Sequence, residues 1–276
     1  MIWELRHEYK VGLLIEIAGI PRSTYYYHAG QFEKPDKYAE IKEKIQHIYD
    51  ESKGRYGYRR ITSELRKTHK INHKTMQKLM RKMGIFCRVR MKKYRSYKGE
   101  VGKIAPNLLE RNFKTEKPNQ KWVTDVTEFA LFGIKLYLSP IIDLYYGEVV
   151  AYNISKHPNL SQITDMLEKA FAKIPDGTDL ILHSDQGWQY QHKQYQQMLK
   201  DKGVRQSMSR KGNCLDNACA ENFFGLLKTE LLYLQDFSSV EQFISELEDY
   251  IVWYNTKRIK LVLGGLSSVD FRLKSA

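Results

Sequence analysis

The stretch KWVTDVTEFALFGIKLYLSPIIDLYYGEVVAYNI, residues 121–154, decides the fold class. Three runs rich in β-branched and aromatic residues, 121–130, 134–143 and 147–154, are separated by Phe132-Gly133 and by Tyr145-Tyr146-Gly147. Glycine lets the chain turn tightly between such runs, so an antiparallel meander of three strands is expected. Asp125 stands inside the first strand. A carboxylate there is costly unless it is paired or ligates a cation.

Toward the C-terminus the period alternates. Residues 160–173 predict a helix and 179–184, DLILHS, a short apolar strand. Residues 192–202 predict a helix, 204–208 a brief strand, 216–234 a long helix and 240–254 another. The order is that of a mixed five-stranded sheet flanked by helices, an α/β fold of the ribonuclease-H-like kind. Asp185 follows its strand directly, at the end where the sites of such sheets collect. Glu221 lies early in the long helix, and Asn217, Glu221 and Lys228 form a polar stripe down it. Two strands and one helix thus supply three carboxylates. Mg²⁺ prefers hard oxygen ligands and keeps several waters, so a few carboxylates suffice. Two such ions can clamp the attacking and leaving oxygens of an in-line phosphoryl displacement.

The N-terminal half is different in charge. Residues 1–117 hold 28 Lys+Arg against 13 Asp+Glu, a net of +15, and residues 118–276 hold 17 against 19, a net of −2, which together give +13. A basic half joined to a near-neutral half points to a module that binds a polyanion, nucleic acid before membrane. Residues 4–18 predict a helix ending near Gly19. Ser23 or Thr24 could cap a short one through Tyr27, and a polar linker spans 28–36. Helices are expected over 37–51 and 58–68, and over 72–83 with Asn72 as N-cap and Gly84 as stop. Three short helices with tight turns suggest a helix-turn-helix-like unit. Residues 65–99 contain 13 basic residues and no acidic one. Their tail, with Lys92, Lys93, Arg95, Tyr94 and Tyr97, mixes cations with stacking groups, a composition that tracks phosphates without reading sequence. The expected organisation is an N-terminal helical segment (1–30), a basic helix-turn-helix-like region (36–98), a linker (99–117) and a catalytic domain (118–276). Candidate DNA contacts are Arg59, Arg60, Lys74, Gln77, Lys78, Arg81, Lys92, Lys93 and Arg95. Of those on the third helix, only Gln77 and Arg81 have the bidentate geometry that reads base edges.

Two aspartates and a glutamate, with 35 residues between the last two, resemble the integrase core of retroviral integrases and bacterial transposases. The words around them, WVTDVTEF, HSDQGWQY, SMSRKGNCLDNACAENFFGLLKTEL and YNTKRIK, resemble the second-frame product of the insertion sequence three family. YGYRRITSEL, INHKTMQKLMRKMGI and IEIAGIPRSTYYYH extend the likeness over nearly the whole chain. The resemblance implies a transposase that frees a 3′-hydroxyl by strand cleavage and joins it to another phosphodiester. Asp125, Asp185 and Glu221 would be its catalytic, metal-binding triad. Mg²⁺ would be its cofactor, with Mn²⁺ able to substitute, and Lys228 would contact the DNA end. It also implies element ends and target DNA as substrates, an upstream-frame partner or fused domain that recognises the inverted repeats, and a homo-oligomer on DNA. Family members usually carry Pro where this chain has Ser268. The same fold and carboxylates also serve nucleases that only hydrolyse, and a non-catalytic DNA-binding regulator of the element is a third alternative.

Other signals are weaker. His69 and His73, with Cys87 beyond, lack the paired cysteines of a zinc site. His183 either tunes the site or packs, Trp188 and Tyr190 either stack on DNA or pack under a loop, and Asp143 suits a turn. Cys214 and Cys219 read as packing. Three cysteines make no disulfide framework, and no apolar run approaches a membrane span. The charged start MIWELRHEYK is no signal peptide, so the bacterial cytoplasm and nucleoid are expected.

Overall fold

The computed structural model of the protein describes residues 2–32, 36–89, 104–210 and 213–275. Lys92, Lys93 and Arg95 lie outside the described residues. At the N-terminus the single helix expected over 4–18 is two, α1 (Ile2–Leu5) and α2 (Val11–Ile17). Residues 6–10, RHEYK, carry no aliphatic side chain to hold a helix against a core. Gly19 stops α2 in the left-handed region, at φ +64°. Pro21 then presets α3 (Arg22–Phe32), which runs into the stretch expected to be linker.

α4 (Ala39–Glu51), α5 (Tyr58–Leu65) and α6 (His73–Lys82) stand as the apolar spacing predicts. Their inward stripes, Ile45, Ile61, Leu65, Met76, Leu79 and Met80, share one core with Ile259 from the far end of the chain. Asn72 caps α6 by accepting the Lys74 N–H at 2.9 Å. His73, Lys74, Gln77, Lys78, Arg81 and Lys82 line its exposed side.

In the sheet, β1 (Lys121–Thr124) and β2 (Thr127–Leu131) lie end to end along one edge of β3 (Ile134–Asp143), in one antiparallel register. That register sets Asp125 against Pro140, which has no amide hydrogen to give the ladder. The single first strand expected from sequence is therefore interrupted at Asp125 and Val126. Phe132 (φ +52°) and Gly133 (φ +73°) make the β2–β3 turn, the two left-handed residues of a tight hairpin. β4 (Glu148–Ser155) pairs with the other edge of β3. After α7 (Leu160–Phe171) comes β5 (Ile181–Ser184), parallel to β1. α8 (Lys193–Lys202) leads to β6 (Arg205–Met208), parallel to β5. Counting β1 and β2 as one interrupted strand, the sheet has the five strands expected.

The helix expected over 216–234 changes type along its length. A 3-10 turn at Cys214–Asn217 opens it, α9 (Ala218–Leu227) follows, and a π turn at Lys228–Leu232 ends it. α10 (Val240–Thr256) and α11 (Ser268–Ser275) complete the chain. Alternate β-strand residues face opposite ways, and a bulge in β4 between Val149 and Ala151 turns those two to opposite faces as well, so Trp122, Ile141 and Ala151 meet α7 and α8, while Val123, Leu138 and Val149 meet α9 and α10. The sheet is thus buried on both faces, and the ends of β1 and β5 are where polar groups are left for chemistry. Among the described residues no helix is long and apolar enough to cross a membrane.

Candidate active site

β1 and β5 are parallel neighbours, with Trp122 beside Leu182 and Val123 beside His183. The offset of that register, 60 residues, is also the separation of Asp125 from Asp185. Both aspartates therefore leave their strands at one level, from strands that lie about 4.8 Å apart. α9 packs across β1 and brings Glu221, in its first turn, to the same end. The charges of Asp185 and Glu221 both act on Asp125. Its carboxyl is pushed well up, by burial first and by Asp185 next. The Val126 N–H and Lys228 oppose this. Burial also raises Asp185, against the N–H of Gly187, which donates to its Oδ1 at 2.8 Å.

Each aspartate is held by its own turn. Val126 N–H donates to Asp125 Oδ1 at 2.7 Å, and Asn217 Nδ2 donates to Oδ2 at 3.0 Å. Asn217 is itself buried, in the turn that opens α9. Beside it, buried Asp216 accepts from Arg210 at 2.9 and 3.0 Å, from Arg111 at 3.0 Å and from Asn107 at 3.0 Å. Two guanidiniums hold its carboxyl far below the usual range. This clamp fixes the turn that sets Asn217 against Asp125. Among the described residues no three acidic, histidine or cysteine side chains close into a ligand cluster. Asp125, Asp185 and Glu221 are nonetheless near enough for the charges of the last two to act on the first.

Lys228 reaches the same neighbourhood. It is half-buried, with Nζ 5.9 Å from the Phe129 ring centre, and it feels Asp125 and Glu128. Burial lowers its pKa. Tyr190 is buried beside the two aspartates, its hydroxyl 3.5 Å from Thr124 Oγ1, whereas Trp188 stays half exposed. His183 is fully buried, with Nδ1 2.8 Å from Ser207 Oγ, and burial lowers it to about 4. Asp143 accepts from the N–H groups of Asn119 and Tyr145 at 2.7 and 2.8 Å, a turn role. Cys219 joins the core under α9.

The candidate DNA contacts divide. Lys74, Gln77, Lys78 and Arg81 share the exposed side of α6, and Arg59 is exposed on α5. Arg60 turns inward instead. It lies 3.7 Å from Glu230 and over the Tyr56 ring, so it serves the interior and not a DNA surface. Sequence reasoning missed Glu230, whose position in KTELLYL gives no local signal of a buried acid. Asn217 stands in the polar stripe of the long helix, but its partner, Asp125, lies 92 residues away in the chain.

Family models describing an integrase core domain match residues 115–214 and 221–275, and one describing an HTH-like domain matches residues 36–93. The chain is 52% identical to the transposase InsK for insertion sequence element IS150 of Escherichia coli, over 98% of this chain and 95% of that protein. It is 51% identical to a transposase-like protein of Haemophilus influenzae, over 78% of this chain and 99% of that protein. It is 36% identical to the transposase InsF for insertion sequence IS3A of Escherichia coli, over 82% and 80%.

Proposed function

This chain belongs to the transposases of insertion sequence elements, enzymes with an integrase catalytic core, and from that premise we propose that Asp125, Asp185 and Glu221 are its catalytic, metal-holding residues. The observation that carries the assignment is the common level at which β1 and β5 release Asp125 and Asp185, with the first turn of α9 set against them. The donors fit a hard divalent cation. All are carboxylate oxygens, and the neighbouring negative charge that raises Asp125 is what a cation would offset. Mg²⁺ bound there, or Mn²⁺ in its stead, would supply Lewis-acid polarisation of the phosphoryl group and an activated oxygen nucleophile.

The protein's own groups do the rest. Asn217 and the Val126 N–H hold the Asp125 carboxylate in one orientation, and Gly187 does so for Asp185. Lys228, beside Asp125, places a cation where the phosphate of a DNA end enters. Nucleophile and scissile phosphate are thus held in one geometry, which is most of what phosphoryl transfer requires. The exposed side of α6 supplies cations for the duplex, and its few base readers leave selection of element ends to an upstream-frame partner. The working unit on DNA is a homo-oligomer, acting in the bacterial cytoplasm.

A pre-cut element end offered with a target duplex tests the assignment. Asp125→Asn, Asp185→Asn and Glu221→Gln keep shape and remove ligand charge, so each abolishes joining while duplex binding stays near wild type. Robust joining by any one of them refutes the triad, and product that is only hydrolysed favours the nuclease alternative.

A further inference from the structure

A groove of about 610 Å³ opens where α5 meets the loop after α10, lined by Arg59, Arg66, Lys67 and His73 on one side and by Leu261 and Gly264 on the other. Its walls come from opposite ends of the chain. They are nevertheless fixed to each other. Gly265, at φ +86°, sits so close to α5 that a Cβ would lie 2.4 Å from Ser63 Oγ. Ile259 N–H donates to Tyr56 Oη at 2.9 Å, and Tyr56 Oη donates to the Lys257 carbonyl at 3.1 Å. Arg55 Nε donates to the Glu230 carbonyl at 2.7 Å.

The lining contains no carboxylate among the described residues. Lys67 is neutralised by Glu64 at 2.8 Å, whereas Arg66 uses its Nε on the Ile71 carbonyl and Arg59 stacks over Tyr58, so both keep guanidinium donors for an outside anion. On the rim Val262 is 92% exposed and Leu261 half exposed, held out by the left-handed Gly264 and Gly265. Uncompensated arginines beside a protruding apolar tip are the pairing used by proteins that hold the DNA backbone and wedge a groove. We infer that this groove is a second duplex-DNA backbone site, meeting the exposed side of α6 only at His73, in which the catalytic half and the helical region grip one stretch of DNA together. The inference rests on the reading that the helical region binds DNA. It assigns Arg59 and Arg66 to phosphates and Leu261 and Val262 to the sugar-lined groove edge.

The test is binding of the full chain to a random-sequence duplex, followed across salt. Arg59→Ala with Arg66→Ala lowers the salt slope by about two, close to 0.9 per lost phosphate contact. Val262→Asp, at a side chain that packs on nothing, weakens binding severalfold with an unchanged melting temperature. Lys78→Ala with Arg81→Ala serves as the α6 comparison. A slope that falls for the α6 pair and not for the Arg59/Arg66 pair overturns the groove and leaves the α6 reading standing. Slopes unchanged in both pairs overturn the DNA reading itself. Wild-type binding by Val262→Asp overturns the joint grip. If loss of Arg66 lowers the melting temperature, Arg59→Glu alone carries the slope measurement, because Arg59 is exposed.

Discussion

Arg258 clasps Glu230 in the interior through two hydrogen bonds, Nε to Oε2 at 2.8 Å and Nη2 to Oε1 at 2.7 Å. Tyr250 Oη adds a third at 3.0 Å, Arg60 lies 3.7 Å away, and Arg55 holds the Glu230 backbone. The network ties the α4–α6 region to the helical run that carries Glu221. A buried acid flanked by three guanidiniums tolerates no loss of its charge. Glu230→Ala leaves Arg258 and Arg60 unneutralised and costs about 3–5 kcal/mol of folding stability. Urea denaturation measures it, and a loss below about 1 kcal/mol would show that water reaches the network.

Asn217→Ala removes the donor to Asp125 Oδ2. The turn itself is held by Asp216, Arg210 and Arg111, so the fold survives. Loss of orientation at one ligand is expected to slow joining about 10- to 100-fold, or roughly 1.4–2.7 kcal/mol. A melting temperature that falls in step with activity would mark Asn217 as structural only.

Much of this was legible in the sequence, for a physical reason. Binary patterning alone places α4–α6, the strands and the meander, because each buries one face. Asp125, Asp185 and Glu221 stand out as acids in apolar surroundings. What sequence could not show is anything that depends on a distant partner. The break at Asp125 needs Pro140 across the ladder, the inward turn of Arg60 needs Glu230, and the groove needs Gly265 against Ser63. The π turn at Lys228–Leu232 is equally hidden, since its residues read as ordinary helix formers.

The exposed side of α6 sets a limit on selectivity. Lys74, Lys78 and Arg81 together should account for a salt slope of about 2.7, lost when all three are made alanine. With Arg81 held on a phosphate, Gln77 is left to discriminate a base, by about 1–3 kcal/mol, short of the roughly 4–10 kcal/mol of specific recognition. Competition between an element end and scrambled duplex should therefore give a preference below about a thousandfold for this chain alone.

Burial depresses the Lys260 ammonium to about 7, with Arg258 adding repulsion. Between about pH 7 and the ordinary lysine value of about 10.4, the unfolded chain binds a proton that the folded chain does not. Stability from this group therefore rises with pH through that window, and the penalty is full below pH 7. Lys260→Met lacks the penalty. Its stability advantage over wild type should shrink from pH 7 to pH 9 in paired denaturation curves, and an advantage that stays level would contradict the depressed value.

The resemblance sets proline where this chain has Ser268, and the local structure accommodates either residue. Ser267 is the N-cap of α11: its Oγ accepts the Asp270 N–H at 3.1 Å and donates to the Asp270 carboxylate at 2.8 Å. Ser268 is the first residue of the helix, where proline forfeits no intrahelical bond and its fixed φ suits the turn. The serine contributes something else. Its buried hydroxyl accepts from Lys260 Nζ at 2.5 Å and donates to the Tyr146 carbonyl at 3.1 Å, tying α11 to the β3–β4 turn. Lys260 keeps the Tyr146 and Gly147 carbonyls, at 3.2 and 2.6 Å, and the Tyr254 ring, 4.2 Å away, when that hydroxyl is lost. Ser268→Pro thus exchanges one or two hydrogen bonds, each about 0.5–1.5 kcal/mol, against about 0.4–1 kcal/mol from a stiffer unfolded chain. The net change is expected to stay within about 2 kcal/mol, with strand-joining activity unaltered. A larger loss in thermal denaturation would mean that the serine anchors the C-terminal helix in a way proline cannot replace.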